Sequence, residues 1–317
     1  MLSYILRRIA YALPITLGVT IICFSLIHLA PGDPLSAVLP DNAGPEMREQ
    51  IKIAYGFDKP LPVQYLLWLK NVATGDFGLS IQSRRPVVSE VLPAARNTAY
   101  LALAAVLIGF PFGILMGAVA GYTVGGWVDR AVTSVAVTGV SVPHYWLGMV
   151  LVVIFAVNLG ALPAMGMGPG GQSSYAFDWA HLRHLVLPAI TLAVIPAGII
   201  ARSVRATVAD IRRREFVGML QAKGIGEGRV LYHVAKNAGP TILAVAGLQF
   251  AQLLGGSILV ETVFSWPGTG FLLNTAIFTR DLPILQGTIL VLSIFFVFIN
   301  LVVDVLQTFL DPRIKRA

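Results

Sequence analysis

Cysteine occurs once in the 317 residues, as Cys23. A single thiol excludes an intrachain disulfide and any cysteine-based metal site. Charge is scarce as well. Asp, Glu, Lys and Arg make up 12% of the chain, against roughly 25% in soluble domains. No G-x-x-x-x-G-K-[ST] phosphate loop occurs, so the chain does not hold ATP in the usual way. No H-E-x-x-H or G-x-S-x-G is present, which leaves an intramembrane hydrolase without its usual reactive groups. Acidic residues are the scarcer charge: 16 against 23 Lys and Arg, for a net +7. The basic residues cluster in a few segments, which fits the positive-inside bias of a membrane protein better than a nucleic-acid surface.

What is abundant is apolar: 56% of the residues. The chain reads as an all-α polytopic membrane protein with six transmembrane helices. A short basic start, with Arg7 and Arg8, leads into a first span at Ile9 to Leu29. Its length suits a span better than the 7–15-residue core of a signal peptide. The polar segment 31–96 follows, with acids and bases in balance. It contains two helical stretches, Pro45 to Tyr55 and Pro62 to Val72, the latter carrying Tyr65, Leu66, Trp68 and Leu69. Span two is Asn97 to Tyr122, where Gly109, Gly113, Gly117 and Gly121 recur in the small-xxx-small pattern of close helix approach. Span three lies within Ala131 to Leu159, with a kink expected at Pro143. Span four is Leu185 to Ala201, kinkable at Pro188 and Pro196. Span five is Thr241 to Val260, and span six is Ile284 to Phe309, with Asn300 and Asp304 on one face.

The segment 202–236 is the most basic in the chain, with Arg202, Arg205, Arg212, Arg213, Arg214, Lys223, Arg229 and Lys236 against Asp210, Glu215 and Glu227. One Arg at a bilayer centre costs about 2.5–3.5 kcal/mol on insertion scales. The segment therefore lies outside the lipid, on the cytoplasmic side. Phe216, Met219, Leu220 and Lys223 fall at helical spacing, giving a short amphipathic helix. Gly224, Gly226 and Gly228 break it. A second helix restarts near Glu227, with Val230, Leu231 and Val234 on one side. Such a helical pair either presses an apolar face into a groove on a soluble partner or is a solvated loop that sets orientation. With both termini inside, six spans place Arg7, Arg8, this segment and Arg313, Lys315 and Arg316 on one side of the membrane.

The histidines are open to two readings. His181 and His184 are spaced i, i+3 on the outer side, with Asp178 the one nearby carboxylate, which makes a weak metal site; a structural role fits them better. The segment 261–283 is an apolar outer loop with FSWPGTGF at its centre. An ion-coupled secondary transporter would need internal repeats and ionisable groups at mid-membrane. No repeat is evident, and His28, Glu261 and Asp304 fall near span ends.

The ordered set PGDP at Pro31, GDFGLS at Gly75, RRPV at Arg85, QAKG at Gln221, GGSILVETVFSWPGTG at Gly255 and INLVVDVLQTFLDPRI at Ile299 resembles the permease subunits of bacterial ABC importers for dipeptides and oligopeptides, whose relatives import glutathione or nickel chelates. The resemblance covers nearly the whole chain. It implies a type I importer permease in the bacterial cytoplasmic (inner) membrane, divided into an N-terminal segment with its first span (1–30), an extracytoplasmic segment (31–96) and a permease core (97–317). It implies a second homologous permease, two ATP-binding subunits and an extracytoplasmic solute-binding protein as partners, besides the lipid bilayer and without nucleic acid. ATP and Mg would sit in the ATP-binding subunits, with no cofactor, metal or catalytic residue in this chain. The segment 202–236 corresponds to the coupling loop. Glu215, Phe216, Met219, Leu220, Ala222, Lys223 and Gly224 are its expected contact positions, with Asn237 and Ala238 matching further on. Gly218, Met219, Leu220 and Gln221 replace the polar RTAR-like stretch of relatives, and Gly218 costs about 1 kcal/mol of helix propensity relative to Ala. Ser265, Trp266, Pro267, Gly268 and Gly270 are the expected contacts of the binding protein.

Overall fold

The computed structural model describes residues 2–29, 44–54, 58–171 and 175–310. PGDP and the basic residues Arg313, Lys315 and Arg316 lie outside them, as do the side chains of Arg7, Arg8, His28 and Asp304. The described residues form helices and no strand. In chain order these are α1 (Leu2–Leu29), α2 (Pro45–Ala54), α3 (Leu61–Ala73), α4 (Val87–Tyr122), α5 (Trp127–Ser141), α6 (His144–Leu151) continued by a π-helical turn (Val152–Asn158), α7 (Trp179–Arg212), α8 (Glu215–Ala222), α9 (Glu227–Val263), α10 (Thr269–Thr279) and α11 (Leu282–Leu310). Among the described residues, three helices are long and apolar enough to cross a membrane, or up to five if each bent pair is one span.

The chain divides into two compact units. The first joins residues 1–97 to 267–297. Here α1 and α3 meet through their aromatics. Thr20 Oγ1 and the Tyr65 hydroxyl lie 2.8 Å apart, and Phe24 packs on Tyr65 and Trp68 at centroid distances of 5.5 and 6.0 Å. The GDFGLS stretch is a turn that needs glycine twice: Gly75 and Gly78 have φ of +87° and +81°. The turn delivers Ser80 to Asp281, a buried carboxylate at the start of α11. The Ser80 hydroxyl donates to Asp281 Oδ2 at 2.5 Å, the Gln82 amide donates to the same oxygen at 3.1 Å, and the Ile284 amide donates to Oδ1 at 3.3 Å. Alanine at 281 leaves these donors buried and unpaired. The expected loss of stability is about 3 kcal/mol, read as a lower melting temperature in detergent. Ser80→Ala, which removes one donor, should cost less than Asp281→Ala; equal stability of both variants with the native chain would refute this role.

The second unit joins 98–266 to 298–317. Its centre is α7, with buried faces along much of its length, including Leu187, Leu192, Ile200, Val204 and Val208. It runs unbroken through Pro188 and Pro196 and ends only at Arg212. The span expected at Leu185–Ala201 is therefore the middle of a longer helix, and Arg202, Arg205 and Arg212 stand on its last turns rather than in a loop. Hydropathy falls at Arg202, but backbone hydrogen bonds continue to Arg213.

The four glycines of α4 meet α7 in register. A Cβ at Gly109 would lie 2.9 Å from the Ala193 carbonyl oxygen, and one at Gly113 2.6 Å from that of Ala197. At Gly117 it would strike the Ala201 carbonyl oxygen, and at Gly121 it would lie 2.9 Å from that of Arg205. Both partners advance together along the chain, so α4 and α7 run parallel. The chain between them, which includes the α5–α6 pair with its 101° bend at Pro143, must then return to the level at which α7 begins.

At its other end α7 begins with a cap. Asp178 Oδ1 accepts from the His181 amide at 2.8 Å and lies 2.7 Å from His181 Nδ1. These hydrogen bonds hold the Asp178 carboxyl below the usual carboxylate range. A folded-state value below the unfolded one means the cap contributes fully above the usual carboxylate range. The contribution fades as pH falls through the lowered value. Lower hydrogen-exchange protection at His181 and Leu182, relative to the intrinsic rate at each pH, is expected under such acid conditions, and Asp178→Ala should show low protection at every pH. His184 Nδ1 faces the Met165 carbonyl oxygen at 2.9 Å, so both histidines have protein partners.

Candidate functional site

Arg213 and Arg214 link α7 to α8, a helix of two turns. Its inner face is Phe216, Val217 and Leu220. Val217 is buried in a cluster with Ile200, Val204, Val208 and Ile211 of α7 and Val230, Val234 and Ala238 of α9, and Phe216 and Leu220 pack against it. The apolar face is thus shifted from the sequence expectation. Met219 points outward and is 52% exposed, whereas Val217, absent from that expectation, is the anchor. In α9, Val230 and Val234 face inward as expected but Leu231 is exposed.

The turn after α8 is a Schellman motif. The Gly224 amide donates to the Gln221 carbonyl at 2.9 Å and the Ile225 amide to that of Leu220 at 3.1 Å. Gly224 takes φ +70°, the left-handed conformation this cap requires. Ile225 then packs beside Leu220 on the same apolar cluster. Gly226 begins α9, and Gly228 lies within it. The face of α8 turned away from the protein carries Glu215, Gly218, Met219, Ala222 and Lys223, all exposed. A Cβ at Gly218 would meet nothing within 4 Å. Its smallness therefore serves no packing among the described residues.

Two arginines fix the base on which α8 stands. Arg205 Nε and Nη2 donate to Asp129 Oδ1 and Oδ2 at 2.5 and 2.7 Å, a bidentate pair. Asp129, in the first turn of α5, also accepts from the Gly125 amide at 2.9 Å. Two turns along α7, Arg212 Nη1 donates to the Tyr122 carbonyl at 2.5 Å, and its guanidinium lies 4.3 Å from the centre of the Tyr122 ring. The two contacts grip both ends of the short turn between α4 and α5. Sequence reasoning missed them because partners 76 and 90 positions apart leave no local signal.

Of the outer-loop residues, Trp266, Gly268 and Gly270 are buried, and Ser265 and Pro267 are half-buried. Ser265 has φ +47°, and the Trp266 amide returns to the Glu261 carbonyl at 2.8 Å. This turn ends α9 and tucks the Trp266 ring against Tyr175, with centroids 6.2 Å apart. Glu261 itself is fully buried and accepts from the Thr98 hydroxyl at 2.8 Å.

α8 is thus an amphipathic helix with one face seated on the ends of α7 and α9 and an open outer face. Residues 109–316 match the family described as binding-protein-dependent transport system inner membrane component, and residues 1–95 match its N-terminal region. The chain belongs to that family. This permease is 39% identical to the dipeptide transport system permease protein of Alkalihalophilus pseudofirmus, over 99% of this chain and 100% of that one. It is 37% identical to the glutathione transport system permease protein of Escherichia coli K12, over 99% of each. Among solved structures, a chain of the inward-facing MetNI methionine ABC transporter superposes with a TM-score of 0.54 at 18% identity, covering 71% of this permease and 96% of that chain. That likeness concerns the fold alone. Family membership makes the permease a multi-pass membrane component of a transport system and not an enzyme.

Proposed function

We propose that the permease is one of two membrane subunits of an ATP-driven importer of small peptides in the bacterial cytoplasmic membrane. The observation that carries this reading is α8: anchored by Val217, capped at Gly224, and open at Gly218, Met219 and Ala222. An open glycine beside an exposed methionine is a surface shaped for another protein. In the proposed assembly, two ATP-binding subunits, which hold ATP and Mg, receive α8 and its counterpart on a second, homologous permease. Glu215, Phe216, Met219, Leu220, Ala222, Lys223 and Gly224 form the coupling segment, with Phe216 and Leu220 supporting it from inside. A solute-binding protein docks on the opposite side, near Ser265 and Pro267. Closure of the ATP-binding subunits moves α8 and rocks the helices between inward- and outward-facing states.

Six spans with both termini in the cytoplasm give this arrangement, and segment 31–96 is then extracytoplasmic between the first span (1–30) and the core (97–317). The parallel course of α4 and α7 supports it, because helices separated by one return crossing must point the same way. The basic end of α7 and segment 213–236 fall on the cytoplasmic side by the positive-inside rule. The cargo class rests on relatives named for dipeptide and glutathione transport, which share a peptide backbone. Glutathione and nickel chelates are the alternatives within the family.

The deciding experiment is extraction in mild detergent followed by mass spectrometry of what copurifies, then uptake in proteoliposomes. A second permease and P-loop ATPases should copurify, and ATP should drive uptake of labelled dialanine, with glutathione as competitor. A chain that purifies alone and drives uptake without ATP would overturn the reading. Gly218→Trp should release the ATP-binding subunits while leaving the chain's own melting temperature unchanged, since among the described residues no neighbour lies within 4 Å of a Cβ at that position.

A further inference from the structure

We infer that the Asp129–Arg205 pair is the link through which movement of α8 reaches the α5–α6 pair. This rests on the reading of α8 as the helix moved by the ATP-binding subunits. The apolar cluster under α8 includes residues of α7, α8 and α9, with Ile114, Ala118 and Tyr122 of α4 packed against it. Among the described residues, α5 contributes none to it. A push on α8 is therefore felt directly by the ends of α4, α7 and α9, but not by α5.

α5 packs on α7 through Val132 and Ala136 but stands partly apart from α4. An apolar groove of about 310 Å³ lies along α7 between α4 and α5, lined by Phe112, Gly113 and Met116 on one side and by Val132, Val135 and Ala136 on the other. Close contacts between α5 and α7 gather at Gly139 and Gly198, where a Cβ would lie 3.0 Å from Val194 Cγ1 and 2.8 Å from the Ala136 carbonyl oxygen. Near the α8 end, the bidentate pair is the polar tie between α5 and α7, alongside the buried Val132 of α5. Its carboxylate is almost fully buried, with 5% of the side chain exposed, so the charge cannot be left to water when the pair opens. A planar two-bond contact also fixes the relative orientation of its partners more tightly than a single hydrogen bond does. α5 leads straight into the break at Pro143 and the π-helical turn of α6, so a rotation delivered at Asp129 arrives at the most irregular crossing of this unit. Asp129 and Arg205 are positioning residues: they carry movement and touch no cargo.

The test uses the assembled complex in proteoliposomes of Escherichia coli lipid, in a Cys23→Ser background. Spin labels at Val135 of α5 and Lys236 of α9, both exposed, report the distance between these helices without nucleotide and after trapping with ATP and vanadate. The wild-type distance should be the same in both states. In the neutral double variant Asp129→Asn with Arg205→Met, which leaves no unpaired charge, the distance should differ between states. Dialanine uptake per ATP hydrolysed should fall about tenfold, as expected of a lost coupling between sites. Asp129→Glu, which keeps a carboxylate opposite Arg205, should retain part of it. An unchanged distance and an unchanged ratio in the neutral variant would overturn the inference, as would a wild-type distance that changes between states. A merely structural pair would lower the melting temperature and leave the ratio intact. A wild-type complex that hydrolyses ATP without taking up dialanine would sink the peptide cargo only, with the distances still deciding the link. A complex that never assembles with ATP-binding subunits would sink both.

Discussion

Leucine in place of Gly113 is expected to abolish accumulation of folded permease. The Cβ alone would lie 2.6 Å from the Ala197 carbonyl oxygen and 3.0 Å from its Cα. These are backbone atoms of a buried helix, so no side-chain rotation relieves the clash. Overpacking a soluble core costs about 1–3 kcal/mol. Here α7 would have to back away from α4 along a register that three other glycines share, so the upper end of that range is a floor for leucine. Gly113→Ala should already lower the melting temperature in detergent. The control is Gly228→Ala, at an exposed position of α9 with nothing within 4 Å of the added methyl. It should gain up to about 1 kcal/mol of helix propensity. If Gly113→Leu accumulates and melts like this control, the close crossing of α4 and α7 is wrong.

That crossing was legible in the sequence, because four glycines at one spacing have few other uses in an apolar helix. The apolar runs were legible for the same reason: a bilayer imposes one length on every crossing. Their ends were not. Hydropathy stops at Ala201, but the helical hydrogen bonds of α7 run on to Arg213, because arginine is a good helix former once the chain has left the lipid. The face of α8 was legible only in part. In eight residues each face is defined by two or three side chains, and Val217 and Met219 compete for the same inference. Ser265 to Gly270 show the limit of composition. An apolar, Gly-Pro turn outside the spans reads either as a segment dipping back into the membrane or as one reaching a partner, and composition does not show that Trp266 is fully buried where the positive φ of Ser265 turns it back at the end of α9. Asp129 with Arg205, and Ser80 with Asp281, are long-range pairs, and one sequence carries no sign of which acid meets which base or hydroxyl.

Proline in place of Gly224 is expected to cut transport severely while the permease still inserts and folds. Two features of the native turn are incompatible with it. The φ of +70° lies far from the value near −65° that the proline ring imposes, and the Gly224 amide, which donates to Gln221, disappears. The Schellman bonds open, and Ile225 leaves its place beside Leu220. α8 then loses its C-terminal fixation, although Val217 still anchors its first turn. The long helices are untouched, since the apolar contacts of α4 with α7 and of α7 with α9 lie beyond the turn. Loss is therefore expected in communication rather than in folding. ATP-driven uptake should fall about tenfold or more, with membrane content and melting temperature close to native. Gly224→Ala separates the two causes, because it keeps the amide and bears only the left-handed backbone cost of about 1–2 kcal/mol. It should retain part of the uptake that the proline variant loses. Native uptake by Gly224→Pro would mean that the orientation of α8 does not govern transport, and the coupling role of Met219 and Gly218 would fall with it.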